Sequence, residues 1–457
     1  MAKKFGLNMD YNLESFSGIG DNSYDNSCAF AAALKAVKDS GGGTLRVGKG
    51  IWRTGPIELF SNTTLVLDEG CVVSFIPEFE RYTPVRTRWE GVECYGMHPC
   101  VFSSDQENIS ITGKGILDGN GEVWWKTASE KKKRPQTAPE MPLEFELARL
   151  NPGYNDQPGG GGGRACQFLR PPLLQLFNCK NITFKDFTIQ NSPFWTVHPV
   201  YCKNIVMSGI KVFNPHNAPN TDGIDIDSCE DVLIENCNVS VGDDGIALKS
   251  GSGEDGIKIG KPTRRVTVRG CTVGDGHGGI VIGSETAGGI CDLLAEDCVF
   301  KGTDRGIRIK TRRSRGGDIH DLEFRNLVME NNICPLAVNM FYRCGAKLED
   351  GFFTRDALPV NAATPSIKKI KITNIKASGC RASAGFIAGL PEALIEDLHI
   401  KNCEFSTDEN SGVSPAESEM YLGLDEVNEK SIRLINVKNP VFEDVKVAGP
   451  AQAFIYK

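Results

Sequence analysis

A short alternating segment of the form x-Ile-x-Ile-x-x-Cys/Gly/Asn-x-Ile/Val recurs along this 457-residue chain. Its first positions are Asn108, Asn181, Asn204, Asp231, Arg265, Asp292, Asp321, Lys369 and Asp397. From Asn181 to Asp321 the steps are 23, 27, 34, 27 and 29 residues. Each unit alternates apolar and polar residues over about five to eight positions, the period of a strand. Asn, Gly, Asp and Ser separate the units as turns. Strands this short, repeated every ~20–35 residues without helices between them, fit a parallel β-helix, in which stacked coils share a core that no single coil can bury alone. No Leu-x-x-Leu-x-Leu frame appears, which argues against leucine-rich repeats. The expectation is an all-β chain forming one parallel β-helix domain over residues 1–457.

The cysteines repeat with the coils. Cys237, Cys271, Cys298 and Cys403 each lie six residues after their coil's first position, and Cys179, Cys202 and Cys229 two before theirs. Equal offsets imply ladders of small buried thiols. There is no Cys-x-x-Cys pair among the 16 cysteines to suggest zinc. Free thiols suit a reducing compartment. Near the start, Asn26 to Asp39 carries helical spacing (Phe30, Ala33, Leu34, Val37) and ends at Gly41-Gly42-Gly43. It reads as a short capping helix over the first coil, within an N-terminal cap of about residues 1–60. Residues 126–168 break the pattern with Lys131-Lys132-Lys133-Arg134, several prolines and Gly159 to Gly163, and read as an exposed loop insertion.

The formal charge of −7 gives no reason to expect nucleic acid or an anionic membrane as partner. No apolar run is long enough to span a bilayer. Met1-Ala2-Lys3-Lys4-Phe5-Gly6 lacks the apolar core of a signal peptide, so the expectation is cytoplasmic, or secreted or periplasmic if a leader has been removed.

Four segments then bring chemistry into register. Gly223-Ile224-Asp225-Ile226, Gly245-Ile246-Ala247-Leu248, Gly279-Ile280-Val281-Ile282 and Gly306-Ile307-Arg308-Ile309 share one pattern. Before the first three stand Asn220-Thr221-Asp222, Gly242-Asp243-Asp244 and Gly276-His277-Gly278, and the fourth continues to Lys310. Asp222 and Asp244 each precede their glycine, and Asp243 and His277 each lie 12 residues after their coil's first position. Neighbouring strands lie about 4.8 Å apart, so three carboxylates should cluster beside one imidazole. Arg308 and Lys310 alternate with Ile307 and Ile309 and point outward. Crowded carboxylates separate in pKa, one keeping its proton and another its charge, which supplies an acid and a base from like groups. Cleaving a glycosidic bond needs both. Asp225 and Asp227 are expected as turn or surface residues, and Arg312, Arg313 and Arg315 as a solvated face.

In these segments the chain resembles glycoside hydrolase family 28, the polygalacturonases. All four family signatures occur in order: Asn220-Thr221-Asp222, Gly242-Asp243-Asp244, Gly276-His277-Gly278 and Arg308-Ile309-Lys310. The resemblance runs over roughly residues 15–450 and includes Thr54-Gly55-Pro56-Ile57. It implies a right-handed parallel β-helix and inverting hydrolysis of α-1,4-linked galacturonic acid with no metal or other cofactor. It makes Asp243 the general acid, Asp222 and Asp244 the holders and activators of water, His277 the support of the acid, and Arg308 and Lys310 the binders of substrate carboxylate. Asn220 belongs to the same signature, and Trp195 and His198, one coil earlier, are candidates to line the sugar site. The partner implied is a pectic oligo- or polysaccharide. Residues 126–168 are expected to wall one end of the groove, which would make the enzyme exo-acting; Arg86, Arg88 and Arg164 read singly as surface residues, and would meet further carboxylates if the groove is closed in this way. The alternatives are a rhamnogalacturonan or xylogalacturonan hydrolase, a calcium-dependent pectate lyase, and a non-catalytic carbohydrate-binding solenoid.

Overall fold

The computed structural model describes residues 9–134, 138–152 and 164–456. Its strands form a 22-stranded and a 12-stranded sheet in which paired strands run parallel, plus one antiparallel hairpin, Pro84–Trp89 with Val92–Met97. This is the expected right-handed parallel β-helix. Successive coils stack in register. Ile224, Ile246, Ile280, Ile307 and Leu336 form one inward column, each at most 1% exposed.

The repeat's first positions turn out to be corners of the coil. All nine adopt the left-handed conformation, with φ between 52° and 59°. Asn and Asp tolerate that region better than other side chains, which explains their prevalence there. The asparagines also bond from coil to coil: Asn181 Nδ2 donates to Asn108 Oδ1 at 2.9 Å, and Asn204 Nδ2 to Asn181 Oδ1 at 3.0 Å. The cysteine ladder is present as well, with the Cys179 and Cys202 amides each donating to the thiol of the next coil at 3.3 Å.

Helix α1 (Ser27–Asp39) lies at the first coils with Phe30, Ala33, Leu34 and Val37 buried, as its spacing predicts. Within 126–168 the structure differs from the expected exposed loop. Helix α2 (Glu122–Lys132) extends into the segment and α3 (Pro142–Leu150) lies inside it. Lys131 is buried against Glu144 at 2.8 Å rather than belonging to a solvated charge run. The two helices cover each other's polar groups, a pairing that local composition does not reveal. Gly159 to Gly163 lie outside the described residues, as does the side chain of Arg164. No helix among the described residues is long and apolar enough to cross a membrane.

Four consecutive strands of the 12-stranded sheet carry the signature residues: β1 (Ile224–Asp227), β2 (Asp244–Lys249), β3 (Gly278–Gly283) and β4 (Arg305–Lys310). The glycine column at their starts has a steric cause. A Cβ on Gly223 would lie 2.5 Å from the Gly245 carbonyl oxygen, one on Gly245 2.8 Å from that of Gly278, and one on Gly279 2.8 Å from that of Gly306.

Candidate active site

The turns that lead into β1 and β2 deliver the acids. The Gly223 amide donates to the Asp244 carbonyl at 2.9 Å and the His277 amide to the Asp243 carbonyl at 2.7 Å, so the coil stacking itself sets their heights. One carboxylate oxygen each from Asp222, Asp243 and Asp244 lies within 4.8 Å of the others. His277 Nδ1 donates to Asp243 Oδ1 at 3.2 Å. Asp244 is clamped between cations, accepting from Arg308 Nη1 at 3.1 Å and from Lys310 Nζ. Asp243 is the most accessible of the three, its side chain 19% exposed against 4% for Asp222 and 1% for Asp244.

These surroundings separate the three acids electrically. Burial raises the Asp222 carboxyl well above the usual range, and the charges on Asp225 and Asp243 raise it further. Burial also opposes the charge on Asp244, yet Lys310, Arg308 and Lys249 outweigh it and hold that group far below the ordinary value. For Asp243 the burial effect is overcome by the hydrogen bond and charge of His277, so its carboxyl is lowered while the imidazole is raised. The Asp243–His277 pair therefore holds its proton to higher pH than a free imidazole would. The crowding thus separates the acids, as anticipated: Asp222 is pushed toward its protonated form for as long as Asp225 beside it is charged, and Asp244 is held ionised.

A pit of about 70 Å³ opens over the acids, lined by Trp195, Asn220, Lys249, Glu285, Lys310 and Arg315 among others. Trp195 is nearly buried, with the Lys249 ammonium 4.4 Å from its ring centroid. Asn220 accepts from the buried Arg170 Nη2 at 2.8 Å. His198 is fully buried and does not line the pit. It bonds to Gln175 at 2.8 Å and faces Asp227 at 3.4 Å. Arg308 also points away from the coil interior but is covered: Nε and Nη2 donate to Glu419 at 2.9 and 2.8 Å, which commits the guanidinium to protein carboxylates. Lys310 is the member of that pair that reaches the pit.

Three surface expectations are corrected. Asp225 and Asp227 are fully buried on β1, not turn residues. Arg312, Arg313 and Arg315 are nearly buried, with Arg313 paired to Glu392 and Arg315 donating to Ser252 Oγ at 2.6 Å. Arg88 is buried against Asp227 at 3.0 Å and Ser228 at 2.8 Å. Asp225 and Asp227 lie on the outward face of a coil that a distant segment covers. The 84–97 hairpin brings Arg88, and the loop around Glu419 brings the partner of Arg308. None of the described residues of 126–168 lines the pit, whereas Glu90 at the hairpin tip does, in a left-handed conformation with φ of 43°.

The family model described as glycosyl hydrolases family 28 matches residues 160–351. A hyperthermoactive exopolygalacturonase from Thermotoga maritima superposes with a TM-score of 0.76 at 30% identity, over 96% of this chain and 92% of that one. The chain belongs to glycoside hydrolase family 28. A probable polygalacturonase of Vitis vinifera is 32% identical over 328 residues, 70% of this chain and 60% of that protein. An exo-poly-alpha-D-galacturonosidase of Dickeya chrysanthemi is 27% identical over 336 residues, 70% of this chain and 55% of that protein. The chain thus spans less than two thirds of the length of these curated relatives. Endo-polygalacturonases are also among them.

In this family 28 chain the cluster extends beyond the four signatures. Lys249, Asp225 and Glu285 form a buried group behind Asp222, with the Lys249 ammonium 3.5 Å from Asp222, 3.4 Å from Asp225 and 3.4 Å from Glu285. Sequence reasoning missed Lys249, Glu285, Glu419 and Arg170. Lys249 did carry a signal. It sits opposite Asp227 in register and on the same outward alternation as Arg308 and Lys310. Glu285 and Glu419 had none, because loops place them.

Proposed function

We propose that this protein hydrolyses the α-1,4 bond between galacturonic acid units of pectic chains, with inversion, and acts from a chain end. The observation that carries the reading is the trio of carboxylates within 4.8 Å, one of them hydrogen-bonded to His277, at a pit also lined by Lys249, Lys310 and Arg315. Buried cations at a sugar-cleaving site favour an anionic sugar. Asp243, the accessible member, passes a proton to the leaving oxygen and regains one through His277. Asp222 and Asp244 hold the water whose oxygen bonds to the anomeric carbon as the glycosidic bond breaks, and the water's proton goes to the carboxylate side.

The close spacing resembles the gap of about 5–5.5 Å typical of retaining enzymes more than the wider inverting gap. Retention needs a free carboxylate oxygen to attack carbon. Both oxygens of Asp244, the strongly ionised acid, are engaged by Arg308 and Lys310, which suits holding water better than attack. Those cations also leave little unbalanced charge for a metal ion, so activity should survive a chelator. The hairpin tip with Glu90 beside the pit supports exo action, a role expected of residues 126–168.

The test is product analysis with polygalacturonate and trigalacturonate, chelator present, and the anomer identified by NMR. Early monomer of inverted configuration supports the full reading. Mixed oligomers would reject exo action, retained configuration would reject inversion, and no cleavage of either substrate would reject galacturonan hydrolysis and turn attention to rhamnogalacturonan and xylogalacturonan.

A further inference from the structure

Asp225 lies three residues beyond Asp222 and is fully buried. Neither of its carboxylate oxygens has a hydrogen-bond partner among the described residues. The Lys249 ammonium, 3.4 Å away, is shared with Asp222 and Glu285. The charged groups facing Asp225 are Lys249, Asp222, Asp244 and Glu285. Asp227, the next outward residue, is occupied by Arg88 and His198.

Charge balance decides what this cluster holds. Asp222, Asp225 and Glu285 are three carboxylates, and the nearby cations are Lys249 and, 3.7 Å from Glu285, Arg315. Glu285 has both cations and stays ionised: burial opposes its charge, but Lys249 and Arg315 hold it at about 2. One proton is left for Asp222 and Asp225. A buried carboxylate shut off from water bears a charge worst: Asp225 is fully buried with only the shared Lys249 ammonium beside it, whereas Asp222 borders the pit.

We propose that Asp225 is a positioning residue that stays a neutral carboxylic acid, leaving the Lys249 ammonium to Asp222 so that the carboxylate holding the water can ionise. Burial pushes the Asp225 carboxyl up to about 8 even with Lys249 beside it. After burial, a charge on Asp225 is the largest influence raising Asp222. Neutral Asp225 removes that influence. The catalytic consequence rests on the hydrolase reading, while the protonation state does not.

Infrared spectroscopy of the intact protein at neutral pH tests the protonation directly. Wild type should show the carbonyl band of a protonated carboxyl group, and Asp225→Asn should lack it. A band that persists in Asp225→Asn, or is missing from wild type, overturns the proposal. The pH dependence of kcat on polygalacturonate tests the consequence. Lys249→Met should move the acid limb to higher pH, since Asp222 loses its cation. Asp225→Asn keeps the shape and is always neutral, so it should keep the wild-type acid limb. A limb displaced to lower pH in Asp225→Asn would mean that wild-type Asp225 is charged and would overturn the inference. If wild type fails to cleave polygalacturonate, the hydrolase reading falls, and the infrared comparison still tests whether a protonated carboxyl depends on Asp225.

Discussion

At the scale of single residues, the proton shared by Asp243 and His277 predicts the alkaline side of the activity profile. The imidazole is raised by its hydrogen bond to Asp243, so the pair is protonated below that raised value and bare above it. Activity should fall only as pH rises past the ordinary histidine value of about 6.5, and His277→Ala should bring the alkaline limb to lower pH in a kcat profile. Asp243→Asn should reduce kcat by about 10²–10⁴-fold, the range for loss of a general acid, with the circular dichroism spectrum unchanged. Asp225 makes a stability prediction of opposite sign to most carboxylates. Its folded value of about 8 lies above the ordinary 3.8, so the folded state binds the extra proton between those values. Stability from this group is therefore greatest in acid and declines as pH rises through the window. Asp225→Asn does not titrate, so its melting temperature relative to wild type should climb between about pH 4 and pH 8. A constant difference across that range would contradict a raised value.

At the scale of elements, the coil corners and the hairpin carry separate predictions. Lys369 holds a left-handed corner with φ of 56° where most coils place Asn or Asp. Left-handed backbone costs an ordinary residue about 1–2 kcal/mol. Lys369→Asn should relieve part of this, raising stability by about 0.5–1 kcal/mol in denaturant unfolding. Shortening the 84–97 hairpin to remove Glu90 and Gly91 should open the pit and shift early products from monomer toward longer oligomers on polygalacturonate. The same elements show what was legible in the sequence. Strand alternation and corner residues repeat, so the solenoid and the heights of Asp222, Asp243, Asp244 and His277 could be read from spacing. Burial on the outward face could not. Whether Asp225, Asp227 or Arg315 meets water depends on which segment lies over it, and the Arg88 hairpin comes from more than 100 residues away in sequence. The helices of 126–168 were hidden for a similar reason, since a charge run looks solvated until Glu144 is placed against Lys131.

At the scale of the whole molecule, the active site is a property of the stack. The acids come from neighbouring turns of one winding, and the glycine column lets those turns approach. Gly245→Ala would place a methyl group 2.6 Å from Val273 Cγ1 and 2.8 Å from the Gly278 carbonyl oxygen. Overpacking of this kind costs about 1–3 kcal/mol, and the parting of Asp222 from Asp244 should lower kcat beyond what the unfolded fraction explains, as measured below the melting transition. That column has a further consequence for how such a site can change over time. Adjacent rungs are separated by the fixed spacing of β-structure, about 4.8 Å. Acidic groups moved along the winding can take up only whole-rung intervals, while finer adjustment is left to the turns that tilt each side chain. The scaffold thus works like a ruler with fixed gradations. New substrates are most readily met by altering what overlies the rungs, here a hairpin and a distant loop, with the rungs themselves left as they are.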